Sequence, residues 1–568
     1  MRCLFTGICI LLCFGSPALR AQQDSTSKTQ DNSGKATCSI GGTVLKSGTA
    51  DPVRKAEISL QKVDDPRSGY LTHTDSMGHF AIDKIEPGRY RLRVERTGYV
   101  SQEYGESSPT SAGSILTLTP GHEARDLLFR LIPWGVISGR ISDENGDPYP
   151  DVTIQVMRHV TRDGKRTLEE ASEADSDDRG DYRIYRLTKG RYFVRAILRE
   201  HRYRIQTNLN KDEGDSSAGN GYAPVYYPGT GDQTRAVSVY VDAGQEVPAV
   251  DFALTPIPSF HVSGHVFDAT VRQVPKDCIV SLGLRDPGTT GFYTNEQQQA
   301  SCFKGGFEFA NVPPGAYSVI ARIFDDGKIR TARASVEVGN THVNDVMVIL
   351  RRGMNLSGRI SVEGDQSLDP SEVQIWLKDN DDFFGNGAGS KIKPDGTLTF
   401  ENVPEGNYEF EMYGRPPGFS PDFYMKDALV NGESVLDKGL AVPAADSQRS
   451  VEVVISSAGA RVDGTVTDEN DLPTAGAIVA LVPQEARRKL FRLYKDSTTD
   501  QYGKFEMRGI APGKYKLFAW KDVENDSWQD PDFLKRYEDQ GKEITAEERG
   551  RVTIQLKLAA TQKSQPQQ

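Results

Sequence analysis

Five times in this 568-residue chain a glycine is followed two positions on by a large apolar residue, and ten positions after that glycine stands a second one, followed two positions on by tyrosine. The pairs are Gly78/Phe80 with Gly88/Tyr90, Gly180/Tyr182 with Gly190/Tyr192, Gly305/Phe307 with Gly315/Tyr317, Gly396/Leu398 with Gly406/Tyr408, and Gly503/Phe505 with Gly513/Tyr515. A fixed internal offset that returns roughly every hundred residues marks repeated modules rather than one large fold. Chains built from copies of one small module usually bind or space things and seldom catalyse.

The segment between the two glycines reads strand, turn, strand. Phe505 to Tyr515 alternates apolar and polar residues and breaks at Ala511-Pro512-Gly513. Proline fixes φ for a turn's first central position and glycine accepts the positive φ of a type II turn at the next, so a hairpin-like corner is predicted. Prolines recur there at Pro87, Pro313-Pro314, Pro404 and Pro512, whereas the second copy has Thr188-Lys189-Gly190. The tyrosine ring should point inward with its hydroxyl reaching backbone at the corner, as in Greek-key sandwiches.

Roughly fifty residues before each turn glycine lies an apolar-x-Gly-x-apolar strand, centred on Gly42, Gly139, Gly264, Gly358 and Gly464. Alternating strands such as Val152, Ile154, Val156 follow, and most units close on one more strand after a glycine, as from Gly121 to Leu131. About seven short strands per hundred residues predict an all-β chain: a tandem array of about five antiparallel seven-stranded β-sandwiches, transthyretin-like or Ig-like. The expected divisions are a signal peptide at 1–21, a disordered linker at 22–37, sandwiches at 38–133, 134–257, 258–351, 352–456 and 457–560, and a disordered tail at 561–568. Short junctions such as Pro256-Ile257-Pro258 predict a semi-rigid rod of modules.

The strings Gly464-Thr465-Val466-Thr467-Asp468, Thr499-Asp500-Gln501-Tyr502-Gly503-Lys504-Phe505 and Pro512-Gly513-Lys514-Tyr515 resemble the carboxypeptidase regulatory-like domain, a transthyretin-like sandwich. The fifth unit carries the resemblance best; the third and fourth keep only the glycines and the corner. Tyr222 to Thr230 and Asp530 to Glu538 are similar to stretches of multi-copy bacterial envelope proteins of this type. The resemblance implies fold and envelope location. It does not imply peptidase activity, because in the carboxypeptidases the module accompanies a separate catalytic domain.

Residues for catalysis are not assembled by any motif. A metallocarboxypeptidase needs a His-x-x-Glu zinc pair plus a distant histidine, and none of the eight histidines has glutamate three residues on. His261 and His265 lie four apart on a predicted strand, about 13 Å along one face, too far for one metal. Gly385-Asn386-Gly387-Ala388-Gly389 lacks the spacing of a phosphate-binding loop and reads as a loop. The Asp-rich run Asp175 to Asp181 is the repeat's own turn, with Arg179 where a calcium loop needs an oxygen. No catalytic residue, metal ligand or cofactor is therefore assigned. A net charge of -11 without a basic stripe argues against a nucleic-acid partner. Pilin-like isopeptide cross-links are disfavoured, because Thr, Arg or His follows the first-strand glycine and no recurrent lysine stands there.

Arg2, the apolar run Leu4 to Phe14 and Ser16-Pro17-Ala18-Leu19-Arg20-Ala21 read as a secretory leader cleaved near Ala18 or Ala21. Leu12 before Cys13 is too large for the usual lipoprotein site. No membrane span is predicted, since eleven apolar residues are too few. The expected location is periplasmic, outer-membrane-associated or extracellular. In such a compartment Cys278 and Cys302 of the third unit are candidates for a disulfide, two separate buried thiols being the alternative, while Cys38 has no predicted partner.

Two insertions stand outside the repeat. One, from His201 to Gln233, ends in Tyr222, Tyr226 and Tyr227, which could stack on sugar rings as a glycan contact or pack back on their own sandwich. The other predicts a short helix with Asp530 as cap, Pro531 first and Gly541 as stop, carrying Phe533, Leu534 and Tyr537 on one face with Trp528 just before it. Docking on its own sheet is the plainer reading of that face, partner binding the sharper one. The reading as a whole is a non-enzymatic exported spacer and interaction scaffold whose partner is an envelope protein or polysaccharide, with carbohydrate binding through Tyr222, Tyr226, Tyr227 and Trp528 as the alternative.

Overall fold

The computed structural model describes residues 36–63, 65, 67–106, 113–198, 221–222, 224–254, 256–284, 298–325, 328–379, 387–414, 420–443, 448–521 and 523–560. The expected leader, most of the linker and the C-terminal tail lie outside them. The chain is all-β, with apolar cores drawn from residues 38–131, 137–254, 262–350, 354–455 and 460–556. Each core is enclosed by its own sheets.

One scheme recurs. In the first sandwich the glycine-bearing strand Cys38–Lys46 lies between His79–Ile85 and Glu123–Leu131, facing a second sheet built around Glu57–Lys62 and Gly88–Glu95. Among the described residues, the strand pairings within each sandwich are antiparallel except that of the opening strand with the closing strand, which is parallel in every sandwich. The third sandwich departs in one respect: Phe303 pairs with Gly306, so its seven strands run as one continuous sheet that wraps its core.

That parallel pair explains the apolar-x-Gly-x-apolar signature. A Cβ on Gly42, Gly139, Gly264, Gly358 or Gly464 would fall 1.6 to 2.2 Å from a carbonyl oxygen of the closing strand. Only a residue without a side chain lets the two backbones approach so closely.

The paired glycines divide the work differently from the sequence expectation. The first of each pair, Gly78, Gly180, Gly305, Gly396 and Gly503, adopts the left-handed conformation at φ +71 to +81°. The second does not need it: Gly88, Gly190 and Gly406 have no positive φ and simply start a strand. No type II turn is required, and the corner is not a hairpin. The strand before it and the strand after it belong to opposite sides of the sandwich and never pair. The glycine is there because the tyrosine two residues on folds back over it: a Cβ at Gly406 would lie 3.2 Å from the Tyr408 ring, and one at Gly513 3.3 Å from Tyr515. Each tyrosine is buried and its hydroxyl donates to the carbonyl four residues back, from Tyr90 to Glu86 at 2.7 Å, Tyr192 to Thr188 at 2.7 Å, Tyr317 to Pro313 at 3.0 Å, Tyr408 to Pro404 at 3.0 Å and Tyr515 to Ala511 at 2.8 Å. A buried hydroxyl thereby satisfies a carbonyl that the turn would otherwise strand.

The five sandwiches do not form a rod. The fifth returns to the first, where Thr117 and Ile115 pair with Gln501 and Asp500 and Arg89 reaches Glu506 at 3.6 Å. It meets the second at Gly164, which lies against Phe491 and the Gln529 carbonyl. It meets the fourth through Asp422, held by Arg461 and Arg508. The second also touches the fourth, because Lys378 pairs with Asp163; this carboxylate and Glu411 raise the Lys378 pKa against the opposing effect of burial. Short junctions restrict neighbours in sequence but leave open where the chain as a whole turns.

Both faces of one sheet in the fifth sandwich are covered, which is why its strand Ile478–Pro483 is buried at every position. The inner face meets the core and the outer face meets Trp520, Trp528, Leu534 and Tyr537. Asp530 caps the helix Pro531–Lys535 by accepting from the amides of Asp532 and Phe533. The helix stops before Gly541, and a single tight turn at Glu538–Gln540 follows. Gly541 is not a left-handed stop; a Cβ there would lie 2.4 Å from the Phe518 ring.

Candidate functional site

Of the four aromatic residues proposed for sugar contact, Tyr226 and Trp528 are taken up by the protein's own packing. Val225–Tyr226 adds a short strand to the edge of Gly190–Leu198 in the second sandwich. Tyr226 is 4 % exposed and packs with Met157 and Leu168. Its hydroxyl accepts from Arg195 Nη1 at 3.3 Å; Arg195 Nε donates to Gln155 Oε1 at 2.8 Å, and Gln155 Nε2 donates to Glu170 at 2.6 Å. The insertion thus seals a buried polar chain on the sandwich's outer face. Tyr227 meets Phe252 edge-on at 6.1 Å. Trp528 is 2 % exposed and stacks on Trp520 at 6.3 Å. Tyr226 and Trp528 therefore offer no open ring face to a sugar. The backbone of Tyr222 pairs with Pro256, and its side chain is outside the described residues.

The polar repeats are equally committed. Asp177 Oδ1 accepts from the amides of Arg179 and Asp181, both at 2.9 Å, and Asp181 pairs with Arg140 at 2.7 Å. Asp75 and Asp500 make the same two turn bonds. Backbone bonds from His79 and Met77 hold the Asp75 carboxyl below its ordinary range, and burial opposes them only in part. His261 Nδ1 lies 2.6 Å from Glu308, while the His261 amide donates to His342 Nδ1 at 2.9 Å; His265 is exposed. Among the described residues no group of three or more His, Cys, Asp or Glu side chains is placed to hold a metal. Cys278 and Cys302 face each other across antiparallel strands and are bonded, with Cα atoms 5.0 Å apart. The Cys38 thiol is buried and donates to the Thr119 carbonyl at 3.1 Å.

One cleft was invisible in the sequence because two modules create it. A cleft of ≈1460 Å³ opens between the third and fourth sandwiches. Its walls carry Arg322, Arg333, Arg351, Arg352 and Arg449 against the carboxylates of Asp379, Glu401 and Glu405. The buried Asp379 pairs with Arg333 across the junction, so an ion pair ties the two walls. The corner tyrosine Tyr408 and Gly406 reach the same cleft. Gly387–Gly389, expected as loop, is a strand paired with Val373–Asp379; Gly385 and Asn386 are outside the described residues.

Among the described residues no helix is long and apolar enough to cross a membrane. Residues 39–131 match the family model of the carboxypeptidase regulatory-like domain. The match falls on the first sandwich. No curated protein matches the chain. Similar solved structures include the minor pilin GBS52 of Streptococcus agalactiae, at 11% identity and a TM-score of 0.23, covering 39% of this chain and 98% of that one. The TIE protein of Bacillus anthracis is similar at 15% identity and a TM-score of 0.15, covering 75% and 74%. BcpA, the major pilin subunit of Bacillus cereus, is similar at 11% identity and a TM-score of 0.14, covering 55% and 99%.

Proposed function

We propose that the protein is exported and serves as a non-catalytic scaffold of the cell envelope, its partner an envelope protein or polysaccharide. One observation carries this reading: the polar groups that recur with the repeat are consumed by architecture. The five tyrosine hydroxyls close corners and the turn aspartates bind their own amides. What such a chain offers a partner is surface and fixed geometry. Because the fifth sandwich folds back on the first, the scaffold presents a closed body and does not span a distance. Export is supported by the leader-like pattern of residues 1–21 and by a disulfide in the third sandwich, the kind of bond an oxidising compartment sustains.

Cell fractionation tests the proposal. Expressed with its own N-terminus in a Gram-negative host, the chain should be recovered outside the cytoplasm with its new N-terminus near residue 19 or 22 and its third-sandwich cysteines oxidised. An uncleaved, reduced chain in the cytoplasm would overturn the reading.

A further inference from the structure

Trp376 lies on the strand Val373–Asp379 and lines the cleft between the third and fourth sandwiches. The neighbouring strand places Gly389 opposite it and Gly387 opposite Lys378. A Cβ at Gly387 would fall 2.2 Å from the indole Nε1, and one at Gly389 2.8 Å from Cζ3. Residues two apart on a strand share a face. The indole therefore lies flat across a bed of two glycines, one face on the strand, and the ring stays half-exposed to the cleft. An aromatic side chain needs no such bed merely to be buried. Around the same cleft stand Arg351, exposed, and Arg449, half-buried; among the described residues neither is engaged in an ion pair, whereas Arg333 is tied to Asp379.

We propose that this cleft is a binding site for an acidic polysaccharide, with a sugar ring stacked on Trp376 and uronate carboxylates held by Arg351 and Arg449. A flat π face suits the apolar face of a sugar ring, and a guanidinium fork suits a carboxylate. The cleft's ≈1460 Å³ exceeds the roughly 300–1,000 Å³ of a small-molecule pocket, which fits several linked rings better than one. Five arginines against three carboxylates leave the cleft lining net positive in a chain whose net charge is -11, which favours a polyanion at this place. The site adds to the scaffold reading and does not rest on it, because it is tested on purified protein whatever its location.

Calorimetry on the purified full-length chain with oligogalacturonate, cellohexaose and poly-glutamate decides it. Oligogalacturonate should bind, more weakly as salt rises; Trp376→Ala should weaken it about ten-fold, the scale of one lost stacking contact, and the double change Arg351→Glu/Arg449→Glu about a hundred-fold, the scale of two lost charged hydrogen bonds. The arginine pair lies outside the apolar cores, so it keeps the test valid should Trp376→Ala disturb the fold. Absence of oligogalacturonate binding would overturn the proposal. So would binding that survives the arginine change, equal affinity for cellohexaose, or equal affinity for poly-glutamate.

Discussion

Thr117 of the first sandwich and Gln501 of the fifth exchange two hydrogen bonds across 384 residues of sequence: the Thr117 amide donates to Oε1 at 2.9 Å and Gln501 Nε2 donates to the Thr117 carbonyl at 2.7 Å. A side chain here completes what a neighbouring strand would supply, on an edge that already pairs Ile115 with Asp500. With nine-residue strands of about 30 Å, five sandwiches in line would reach roughly 150 Å. Small-angle X-ray scattering should give a maximum dimension well short of that. The double change Gln501→Ala/Arg89→Glu should lengthen it by freeing the first sandwich, while the fifth stays docked on the fourth. A wild-type profile as long as the extended array would contradict the seam.

Gly358→Ala should prevent the fourth sandwich from closing. The new methyl would stand 1.6 Å from the Val451 carbonyl oxygen, a backbone atom that cannot move without breaking the parallel pair of opening and closing strands. Loss of soluble protein is the expected outcome. Gly339→Ala is the control, because no atom lies within 4 Å of its added methyl. Its melting should shift by no more than about 0.5 kcal/mol, as for ordinary surface substitutions.

Tyr515→Phe should cost about 1–3 kcal/mol, the penalty for leaving the Ala511 carbonyl without its donor in a buried corner. Burial pushes the Tyr515 hydroxyl up to about 12, so the bond is retained across the ordinary pH range. Five sandwiches need not unfold together, so the measurement is hydrogen exchange of the Gly513–Trp520 amides rather than a single melt. Tyr502→Phe, at an exposed ring, should leave those amides unchanged.

The sequence spoke clearly about whatever one module does by itself. The offset between Gly78 and Gly88, repeated five times, made the sandwich legible, and so did the buried tyrosine with its bond to local backbone. What misled was assigning positive φ to the wrong glycine: a turn with Pro before Gly looks like type II, and only the position of the Tyr90 ring shows that Gly88 makes room for it. Gly42 could be noticed but not explained, because its reason is a carbonyl at Leu127, about eighty residues away. The path of the array could not be read either. It depends on pairs such as Lys378 with Asp163 and Asp422 with Arg508, which obey no local period. For the same reason the cleft beside Trp376 had no signature, while Tyr226 and Trp528, conspicuous as residues, proved to be packing.

Asp422 should fix the angle between the fourth and fifth sandwiches. Its side chain is 3 % exposed and receives Arg461 at 2.9 and 3.1 Å, with Arg508 Nε at 2.8 Å on the other side. Burial alone would raise its pKa, but hydrogen bonds from Arg508 and Arg461 override it and hold the carboxyl below the usual carboxylate range. A depressed native pKa stabilises the fold above the unfolded value near 3.9, and that contribution is lost as pH falls through the native value. Asp422→Asn leaves two guanidinium groups facing an uncharged amide. The wild-type junction should loosen in acid below about pH 4, whereas Asp422→Asn should raise exchange at Phe423 and Tyr424 already at pH 7 and remove that acid response.

Glu106 gives the opposite sign at the seam between the first and fifth sandwiches, where the Gly105 carbonyl lies against Gly476. Burial, reinforced by the charge of Glu103, pushes its carboxyl up to about 7, although the Glu103 amide that donates to it acts the other way. A native pKa above the unfolded value near 4.3 means that the folded state holds the proton longer. Between about pH 4.3 and 7 the unfolded chain binds fewer protons, so stability falls as pH rises and levels off above 7. Exchange of the Tyr104 and Ser114 amides should therefore quicken from pH 5 to pH 7 beyond its intrinsic rate increase. Glu106→Gln, which keeps the shape and cannot ionise, should abolish that excess. If the excess persisted in the variant, the seam's pH response would belong to another group, and Glu106 would be no more than a filler of the loop.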